Sequence, residues 1–385
     1  MIQIKDKSEC CGCTACFNIC PKDCISMQED YEGFRYPVVD QASCIDCHLC
    51  EKVCPIITLQ KPHQPLKIFG LKNINTTVQK ASTSGGVFFA LAEYTIAKKG
   101  VVIGAIYDED FQVVHQKAET LADCKKFHGA KYVESHLPNN LFKEIQTLLK
   151  QERYVLFTGT PCQVAGLKNF LRKDYPNLLT CDLVCSSVPS SKLFRDYFNF
   201  AQQKKKIQSI NMRWKEKGWN KTSQQITYAD GKTLIGKGDA KLWHTIAFTH
   251  LVSRPSCHKC RFSNFERPGD FSIGDFWGIE TAHPSFFDKN GVSLTMLNTE
   301  KGEKVFEAIK DNFQIQPTTQ ELCRQPRLTT PVKPNPLREQ FWKEYDSSRF
   351  ETLARKYWRY GTWNQLKFQI RQQLSKIYHA IIKTK

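Results

Sequence analysis

Long apolar runs are missing from this 385-residue chain: no stretch of about 18 apolar residues occurs, so the sequence predicts no membrane-spanning helix. Residues 1–8 are polar and of mixed charge, and they lack the apolar segment of a secretory signal peptide. The cysteine count of 17 is odd, which argues against a fully paired disulfide framework. A chain of this size without a signal uses so many cysteines for metal or redox chemistry, so we expect a cytoplasmic protein.

Two runs of four cysteines occupy the N-terminal part of the chain. Each run has the spacing C-x2-C-x2-C-x3-C followed by proline, and the second run begins 34 residues after the first. This is the pattern of bacterial ferredoxins with two [4Fe–4S] clusters, in which the fourth cysteine of each run ligates the other cluster. The prediction therefore assigns one cluster to Cys10, Cys13, Cys16 and Cys54, and the second to Cys44, Cys47, Cys50 and Cys20.

The alternative for these cysteines is a pair of zinc sites. Zinc is often held by two separated C-x2-C pairs, so twin runs that each end in Cys-Pro favour iron–sulfur clusters. Cys11 and Cys24 fall outside the spacing, and we expect them to be packed side chains rather than ligands. Residues 25–27 and 35–39 predict two short strands around a turn, which gives this part an α+β, ferredoxin-like fold.

The length of the chain indicates two or more domains. A proline-bearing linker at residues 61–66 separates the dicluster domain, residues 1–60, from a larger domain at residues 67–335. There, predicted strands alternate with predicted helices, which indicates an α/β fold with a largely parallel sheet. Residues 224–228 and 232–235 flank an Ala-Asp-Gly turn, a hairpin signal that indicates an inserted β-rich lobe at about residues 205–250.

Several loops follow predicted strands, at the edge where open α/β sheets bind ligands. The loop of Ser84, Gly85 and Gly86 offers free backbone N–H groups at a helix N-terminus, which suits a phosphate or the edge of a flavin ring, although such a glycine pair is usually only a turn. Four further cysteines could hold a third [4Fe–4S] cluster, a zinc ion or nothing, and their spacing does not decide: Cys162, Cys185, Cys257 and Cys260. Cys162 follows Pro161 at a helix start, where the helix dipole favours a thiolate.

The formal charge of +17 is uneven along the chain. Residues 350–385 carry eight Lys or Arg against one acid, a net of +7. A stripe of apolar residues at helical spacing runs through the same segment: Leu366, Ile370, Leu374, Ile377 and Ile381. We interpret residues 336–385 as a basic amphipathic C-terminal tail that either packs on its own domain or lies on an anionic membrane surface, with peripheral attachment to the inner face of the membrane.

Six stretches in this order resemble the coenzyme F-420 hydrogenase/dehydrogenase beta-subunit family, in the form with a fused N-terminal dicluster ferredoxin domain. They are residues 82–87, 129–133, 157–163, 184–190, 254–260 and 273–278, within a resemblance that covers roughly residues 5–330. Where related bacterial sequences tend to have Cys-His-Gly-Val-Pro-Ser, this chain has Cys-Ser-Ser-Val-Pro-Ser at 185–190. The chain therefore has no histidine at this position that could donate a proton. Cys181 could compete with Cys185 as a ligand, and the family motif favours Cys185.

The resemblance implies an iron–sulfur flavoprotein that holds FAD. By that likeness Cys162, Cys185, Cys257 and Cys260 are candidate ligands of a third [4Fe–4S] cluster beside the flavin. The implied flavin-binding residues are Ser84, Gly85, Gly86, Lys131 and Tyr132. The sequence is most similar to bacterial members that are often encoded among polysaccharide-assembly genes, so coenzyme F-420 itself need not be the substrate.

These observations predict an oxidoreductase that passes electrons from a one-electron donor, such as a ferredoxin or a reductase subunit, through [4Fe–4S] clusters to FAD and on to a small-molecule or lipid-linked substrate in polysaccharide biosynthesis. The first alternative is a non-catalytic electron-transfer subunit of a larger oxidoreductase. A more remote alternative is a zinc-dependent nucleic-acid binder, and we expect no nucleic acid as a partner. The histidines offer no residue to which an acid–base role can be assigned.

Overall fold

The computed structural model describes residues 1–58, 62–221 and 223–361, and it places a cysteine-rich N-terminal unit against a larger α/β body. The apolar stripe predicted between residues 366 and 381 lies outside the described residues. None of the helices in the described part of the chain is long and apolar enough to cross a membrane.

The N-terminal unit repeats one loop-and-helix arrangement. Strands β1 (Ile25–Glu29) and β2 (Arg35–Val39) pair antiparallel, as the sequence predicted. Helix α1 (Ala15–Ile19) follows Thr14, whose φ is 62°, and helix α2 (Leu49–Lys52) follows His48, whose φ is 58°. Thr14 and His48 are 34 residues apart, so the duplication seen in the cysteine spacing is also present in the backbone.

Nine further helices belong to the larger body or pack on it, counted within the described residues. They are α3 (Thr76–Ala81), α4 (Val87–Ala97), α5 (Leu121–Cys124), α6 (Leu141–Lys150), α7 (Pro161–Leu171), α8 (Ser191–Gln202), α9 (Gly238–Phe248), α10 (Ile279–Ala282) and α11 (Glu300–Ile309). Two more follow them near the end of the described chain, α12 (Arg338–Glu344) and α13 (Phe350–Trp358).

An eight-stranded sheet forms the centre of the body within the described residues, in the order β13-β3-β12-β11-β7-β6-β4-β5. Its strands are β3 (Lys67–Asn73), β4 (Val101–Tyr107), β5 (Val113–Ala118), β6 (Val155–Gly159), β7 (Leu178–Leu183), β11 (Phe271–Asp275), β12 (Ser293–Leu297) and β13 (Phe313–Pro317). Helices α6 and α7 cover one face together with residues of the N-terminal unit, and α4 and α11 cover the other. The α/β class predicted from the sequence agrees with this layering.

The prediction of a largely parallel sheet is wrong for the sheet as a whole. The four central strands β4, β6, β7 and β11 are parallel to one another, but every pairing outside them is antiparallel. The sheet is therefore mixed. The antiparallel strands β5, β12 and β13 were not recognised in the sequence, because each is only five or six residues long and carries several polar residues.

The inserted lobe is built on a second sheet of three antiparallel strands, β8 (Ile207–Trp214), β9 (Ser223–Tyr228) and β10 (Thr233–Ile235). The β9–β10 hairpin turns at the Ala-Asp-Gly segment that predicted it, with Tyr228 N–H donating to the carbonyl of Lys232. Helix α9 follows and packs on β9 and β10.

Residues 338–358 belong to the C-terminal tail that was predicted to begin at residue 336, and they pack on the protein itself, which is one of the two alternatives considered for that tail. Helices α12 and α13 pack against α8 and α9, and their aromatic side chains Phe341, Trp342 and Trp358 are buried in the core of the lobe. Burial of these large apolar side chains makes α12 and α13 part of the folded body.

Candidate functional site

The first group of predicted cluster ligands, called here the proximal group, consists of Cys10, Cys13, Cys16 and Cys54. Burial, with the neighbouring thiols of Cys10 and Cys54, raises the pKa of Cys16. Burial likewise raises the pKa of Cys54, with Cys10 again among its electrostatic neighbours. The fourth cysteine of the second run thus lies beside the first run, which is the exchange that the ferredoxin pattern predicts.

The second group, called the distal group, lines a single cavity and consists of Cys20, Cys44, Cys47 and Cys50. Cys47 is exposed, so this group faces solvent. The sulfur of Cys50 accepts a hydrogen bond from the backbone N–H of Ile2 at 3.3 Å. Cys24 lines the same cavity, with its sulfur 3.4 Å from that of Cys20, so it is a neighbour of the predicted ligands as well as a packed side chain.

The third group, called the inner group, consists of Cys162, Cys185, Cys257 and Cys260. Cys162 is the second residue of α7, whose capping box pairs Thr160 with Gln163, and Cys185 follows β7. Because β6 and β7 are parallel neighbours, the segments that follow them meet at one edge of the sheet. Cys257 lies in a 3₁₀-helix at Pro255–Lys259, and Cys260 ends it.

The structure brings the four inner cysteines together. Burial raises the pKa of Cys185, and its electrostatic neighbours include Cys257, Cys162 and Cys260. Three of the four line one cavity. Cys181, the competing candidate, is instead buried in the core between the sheet and α4.

The three groups share a donor chemistry that fits iron–sulfur clusters. Within residues 1–58, 62–221 and 223–361, no three Cys, His, Asp or Glu side chains converge closely enough to hold a single metal ion. The thiols of the distal and inner groups line the walls of cavities instead, an arrangement suited to a cluster, whose irons each take one cysteine. A buried thiol with a raised pKa keeps its proton until a metal replaces it.

Cys11 lies between the proximal and inner groups, and sequence reasoning missed this position. Its thiol is an electrostatic neighbour of those of Cys13 and Cys162, and it lines the cavity of the inner group. Gly166 of α7 also packs on Cys13: an added Cβ would lie 2.8 Å from the Cys13 sulfur. The proximal and inner groups are therefore adjacent in the fold.

The predicted flavin loop is held tightly against the sheet. Ser84 Oγ donates to the carbonyl of Val292 at 2.7 Å, and the backbone N–H of Gly85 donates to Ser293 Oγ at 2.8 Å. The expectation that this loop offers a free N–H at Gly85 is therefore wrong, because the neighbouring strand already takes it. Gly86, with a φ of 92°, is the N-cap of α4.

The other two predicted flavin residues are partly buried, and both have partners within the chain. The Lys131 ammonium donates to four backbone carbonyls, those of Lys126, Phe127, His128 and Gly129, and burial lowers the pKa of Lys131 to about 8. Burial raises the pKa of Tyr132 to about 12, and its hydroxyl is beside Arg213.

Strand β8 of the lobe and the loop after it supply two cations that the sequence analysis did not single out. The Lys215 ammonium donates to the carbonyls of Gln79 and Ser84 at 2.8 and 3.3 Å. Arg213 forms an ion pair with Asp275 at 2.9 Å. Because Arg213 also neighbours Tyr132, these cations connect the Ser84 loop to Tyr132, two segments that are far apart in the sequence.

An aromatic pair lies next to Arg213. The Trp219 Nε1–H donates to Asp275 Oδ1 at 2.8 Å, and its ring stacks on that of Trp277 with 4.9 Å between centroids. The Arg213 guanidinium lies over the Trp277 ring at 5.2 Å, and Trp277 is 39% exposed. The preceding residue, Phe276, is fully buried, so the exposed aromatic surface after β11 belongs to Trp277.

Cysteine-only donor groups that follow one another through an α/β fold define an iron–sulfur electron-transfer protein. Comparison with protein families agrees: residues 9–56 match the 4Fe-4S dicluster domain, and residues 152–321 match the C terminus of the beta subunit of coenzyme F420 hydrogenase/dehydrogenase. Residues 152–321 thus belong to that beta-subunit family and follow a dicluster domain, which confirms the family predicted from the motifs.

Comparison with solved structures finds a chain of the F420-reducing [NiFe] hydrogenase complex from Methanosarcina barkeri. It is 16% identical, with a TM-score of 0.46, over 77% of this chain and 92% of that chain. A likeness at this level carries no functional conclusion. No curated protein sequence matches the chain.

Proposed function

We propose that this chain is an iron–sulfur flavoprotein oxidoreductase in which the distal, proximal and inner groups each hold a [4Fe–4S] cluster and lead electrons toward FAD. The observation that carries the proposal is the succession of the three groups, in which Cys11 is an electrostatic neighbour of both Cys13 and Cys162 and lines one cavity with Cys162. When bound, the clusters carry single electrons and the flavin converts them into a two-electron or hydride step.

The order of the three groups gives each end of the electron-transfer path a role. Cys47 of the distal group is exposed, so a one-electron donor such as a ferredoxin or a reductase subunit would dock there. Cys50 and Cys54 lie on either side of the end of α2 and link the distal to the proximal group, since Cys50 is among the electrostatic neighbours of Cys54. The four cysteines of the inner group are partly buried, so they are more shielded from solvent than the exposed Cys47 of the distal group.

The flavin would lie near the Ser84 loop, Lys131 and Tyr132. The segment that contains Tyr132 supports this location, because Ser135, three residues after Tyr132, contacts the helix that carries Cys162. Ser135 Oγ accepts a hydrogen bond from Gln163 Nε2 at 3.1 Å, and Gln163 directly follows Cys162 of the inner group. Lys131 orders the loop of residues 126–129, which packs on α4 through Phe127 and Phe88.

A second candidate is a non-catalytic electron-transfer subunit of a larger oxidoreductase. One observation favours it: two groups proposed to bind the flavin, the Gly85 N–H and the Lys131 ammonium, already have hydrogen-bond partners within the chain. In either case a substrate in polysaccharide assembly, small or lipid-linked, stays a prediction.

Anaerobic purification followed by iron, sulfide and flavin analysis separates the two candidates. The flavoprotein predicts about twelve irons and one FAD per chain, whereas about eight irons without flavin indicate a carrier. A matched pair of variants tests the inner group. Cys185→Ser should lose about four irons, and Cys181→Ser should keep the full content, because Cys181 lies in the core.

A further inference from the structure

Arg254 brings a buried positive charge to a cysteine of the proximal group. Its side chain is 1% exposed. The guanidinium donates from Nε to the carbonyl of Cys10 at 2.8 Å and from Nη2 to the sulfur of Cys10 at 3.7 Å. A second bond from Nη2 reaches the carbonyl of Arg35 at 2.8 Å. All three of these contacts are to atoms of the N-terminal unit, although Arg254 lies only three residues before Cys257 of the inner group.

The surroundings hold the guanidinium in one place. Glu134 accepts from Nη1 at 2.6 Å, and the Tyr36 ring lies 4.6 Å from the guanidinium carbon. Gly12, which lies between Cys11 and Cys13, makes room for the guanidinium. A Cβ added at Gly12 would lie 2.7 Å from Arg254 Nη1 and 3.1 Å from Glu134 Oε1. The cysteine loop is therefore shaped around the ion pair.

The orientation of the pair matters more than its net charge. The Glu134 carboxylate contacts Nη1, while the sulfur of Cys10 is approached by Nη2. The cationic member is thus the one that contacts the ligand sulfur. In a buried setting such a charge interacts more strongly than it would in water.

The distal group has a different kind of hydrogen-bond donor. Its sulfur at Cys50 accepts from the neutral backbone N–H of Ile2. No Lys or Arg side chain donates to the sulfurs of Cys20, Cys44, Cys47 or Cys50 in the described part of the chain. The Met1 ammonium is an electrostatic neighbour of Cys50, but it is already paired with Asp46 at 2.8 Å and Glu51 at 3.4 Å. The two halves of the duplicated motif therefore differ in the hydrogen-bond donor at their sulfurs, which is a buried guanidinium at Cys10 and a neutral N–H at Cys50.

We propose that Arg254 raises the reduction potential of the proximal centre above that of the distal centre and so draws electrons inward from the exposed end. The inference rests on the proposed function only in requiring a [4Fe–4S] cluster at each of these two groups. On one-electron reduction, with no proton taken up, the charge of the core and its four thiolates changes from about −2 to about −3, and Arg254 stabilises the added charge.

The test is an anaerobic redox titration followed by electron paramagnetic resonance, with dithionite as the one-electron reductant. The signal that changes in Cys10→Ser identifies the proximal centre. In the unmodified protein this centre should have the more positive midpoint potential of the two N-terminal centres. Arg254→Gln should shift it to more negative values and leave the distal potential unchanged, with a smaller shift in Arg254→Lys.

Glu134→Gln should shift the same potential in the opposite direction, because a nearby negative charge is removed while Arg254 stays. Opposite shifts from the two members of one ion pair are not expected from a loosened structure. Arg195→Gln is the matched control: this exposed arginine also joins the body to the N-terminal unit, through Glu29 at 2.8 Å, and should shift neither potential.

Iron analysis keeps the inference and the proposed function apart. A wild-type chain with fewer than about eight irons would contradict the clusters themselves. Full iron with an unchanged proximal potential in Arg254→Gln would overturn the role of Arg254. If Arg254→Gln does not fold, an absence of any positive shift in Glu134→Gln overturns it equally.

Discussion

Arg267 and Asp182 form an ion pair of which both side chains are almost fully buried, 1% and 0% exposed, with 2.5 Å between guanidinium Nη2 and carboxylate Oδ1. The second carboxylate oxygen accepts from the backbone N–H of Gly269, and Nη1 donates to the carbonyl of Phe262. The pair thus joins the end of β7 to the segment that follows Cys260. It holds together two of the segments that carry the inner group, the end of β7 before Cys185 and the loop after Cys260.

Removal of Arg267 should destabilise the fold strongly. Arg267→Met leaves the Asp182 carboxylate buried without its cation, a change that typically costs about 3–5 kcal/mol of unfolding free energy. Urea unfolding under anaerobic conditions measures it. The exposed pair of Arg195 and Glu29 is the control, and Arg195→Met should cost less than about 1 kcal/mol. Equal losses in the two variants would show that burial of the Arg267 pair is unimportant.

Acid should weaken the fold through His115. Burial lowers the pKa of this imidazole to about 4, and its Nε2 is 2.9 Å from the carbonyl of Thr158, while the Lys131 ammonium nearby adds to the shift. The folded pKa is below the unfolded value, so the unfolded chain binds more protons as the pH falls through about 6.5 toward 4. The contribution of His115 to stability is therefore intact above about pH 6.5 and is lost progressively below it.

The variant His115→Gln should remove this part of the acid dependence. The expected loss from His115 is about 1.4 kcal/mol on going from pH 7.5 to pH 5.5. Unfolding free energies of both proteins at these two pH values measure it. The idea fails if the variant loses as much stability as the unmodified protein over that range.

The variant Gly85→Ala should detach the Ser84 loop from the sheet. An added Cβ would overlap the carbonyl oxygen of Leu71 and lie 2.7 Å from the backbone nitrogen of Ser293, so the backbone has to move. We expect a loss of at least about 2 kcal/mol in unfolding free energy and the loss of any bound flavin. Gly231→Ala is the control, since its Cβ would meet nothing within 4 Å and only its φ of +79° is unfavourable. That change should cost about 1 kcal/mol and keep the flavin.

Truncation of Phe341 should destabilise the lobe, because α12 belongs to its core. Phe341 is 0% exposed and packs edge-on against Trp342, Tyr357 and Trp358. Phe341→Ala should cost about 3–5 kcal/mol. Leu337→Ala is the matched surface change at a residue 48% exposed, and it should have little effect. A thermal shift of similar size in both variants would show that α12 does not belong to the core of the lobe.

Features that depend on neighbours in the sequence were predictable. The run Cys10–Cys20 and its repeat indicated clusters because the ligand spacing is set within a few residues. The hairpin at residues 228–232 and the start of α7 at Thr160 follow from local turn and capping chemistry. These elements lie where the sequence placed them.

Features that depend on distant segments were not predictable from this chain. The expectation of a largely parallel sheet failed because β12 and β13 enter it from the far end of the chain, antiparallel to β3. The free N–H expected at Gly85 is taken by Ser293, more than two hundred residues away. Lys131 was proposed as a flavin residue, yet its ammonium is used by a local loop.

The sequence by itself determined the chemistry of this protein: which cysteines form the repeated runs, and the family to which residues 152–321 belong. Only the tertiary structure decided which groups are neighbours. It placed Cys11 against Cys162, and Arg254 against Cys10. The physical reason is that ligand spacing is a short-range property of the backbone, whereas these contacts depend on how the sheet orders its strands and on what burial brings together.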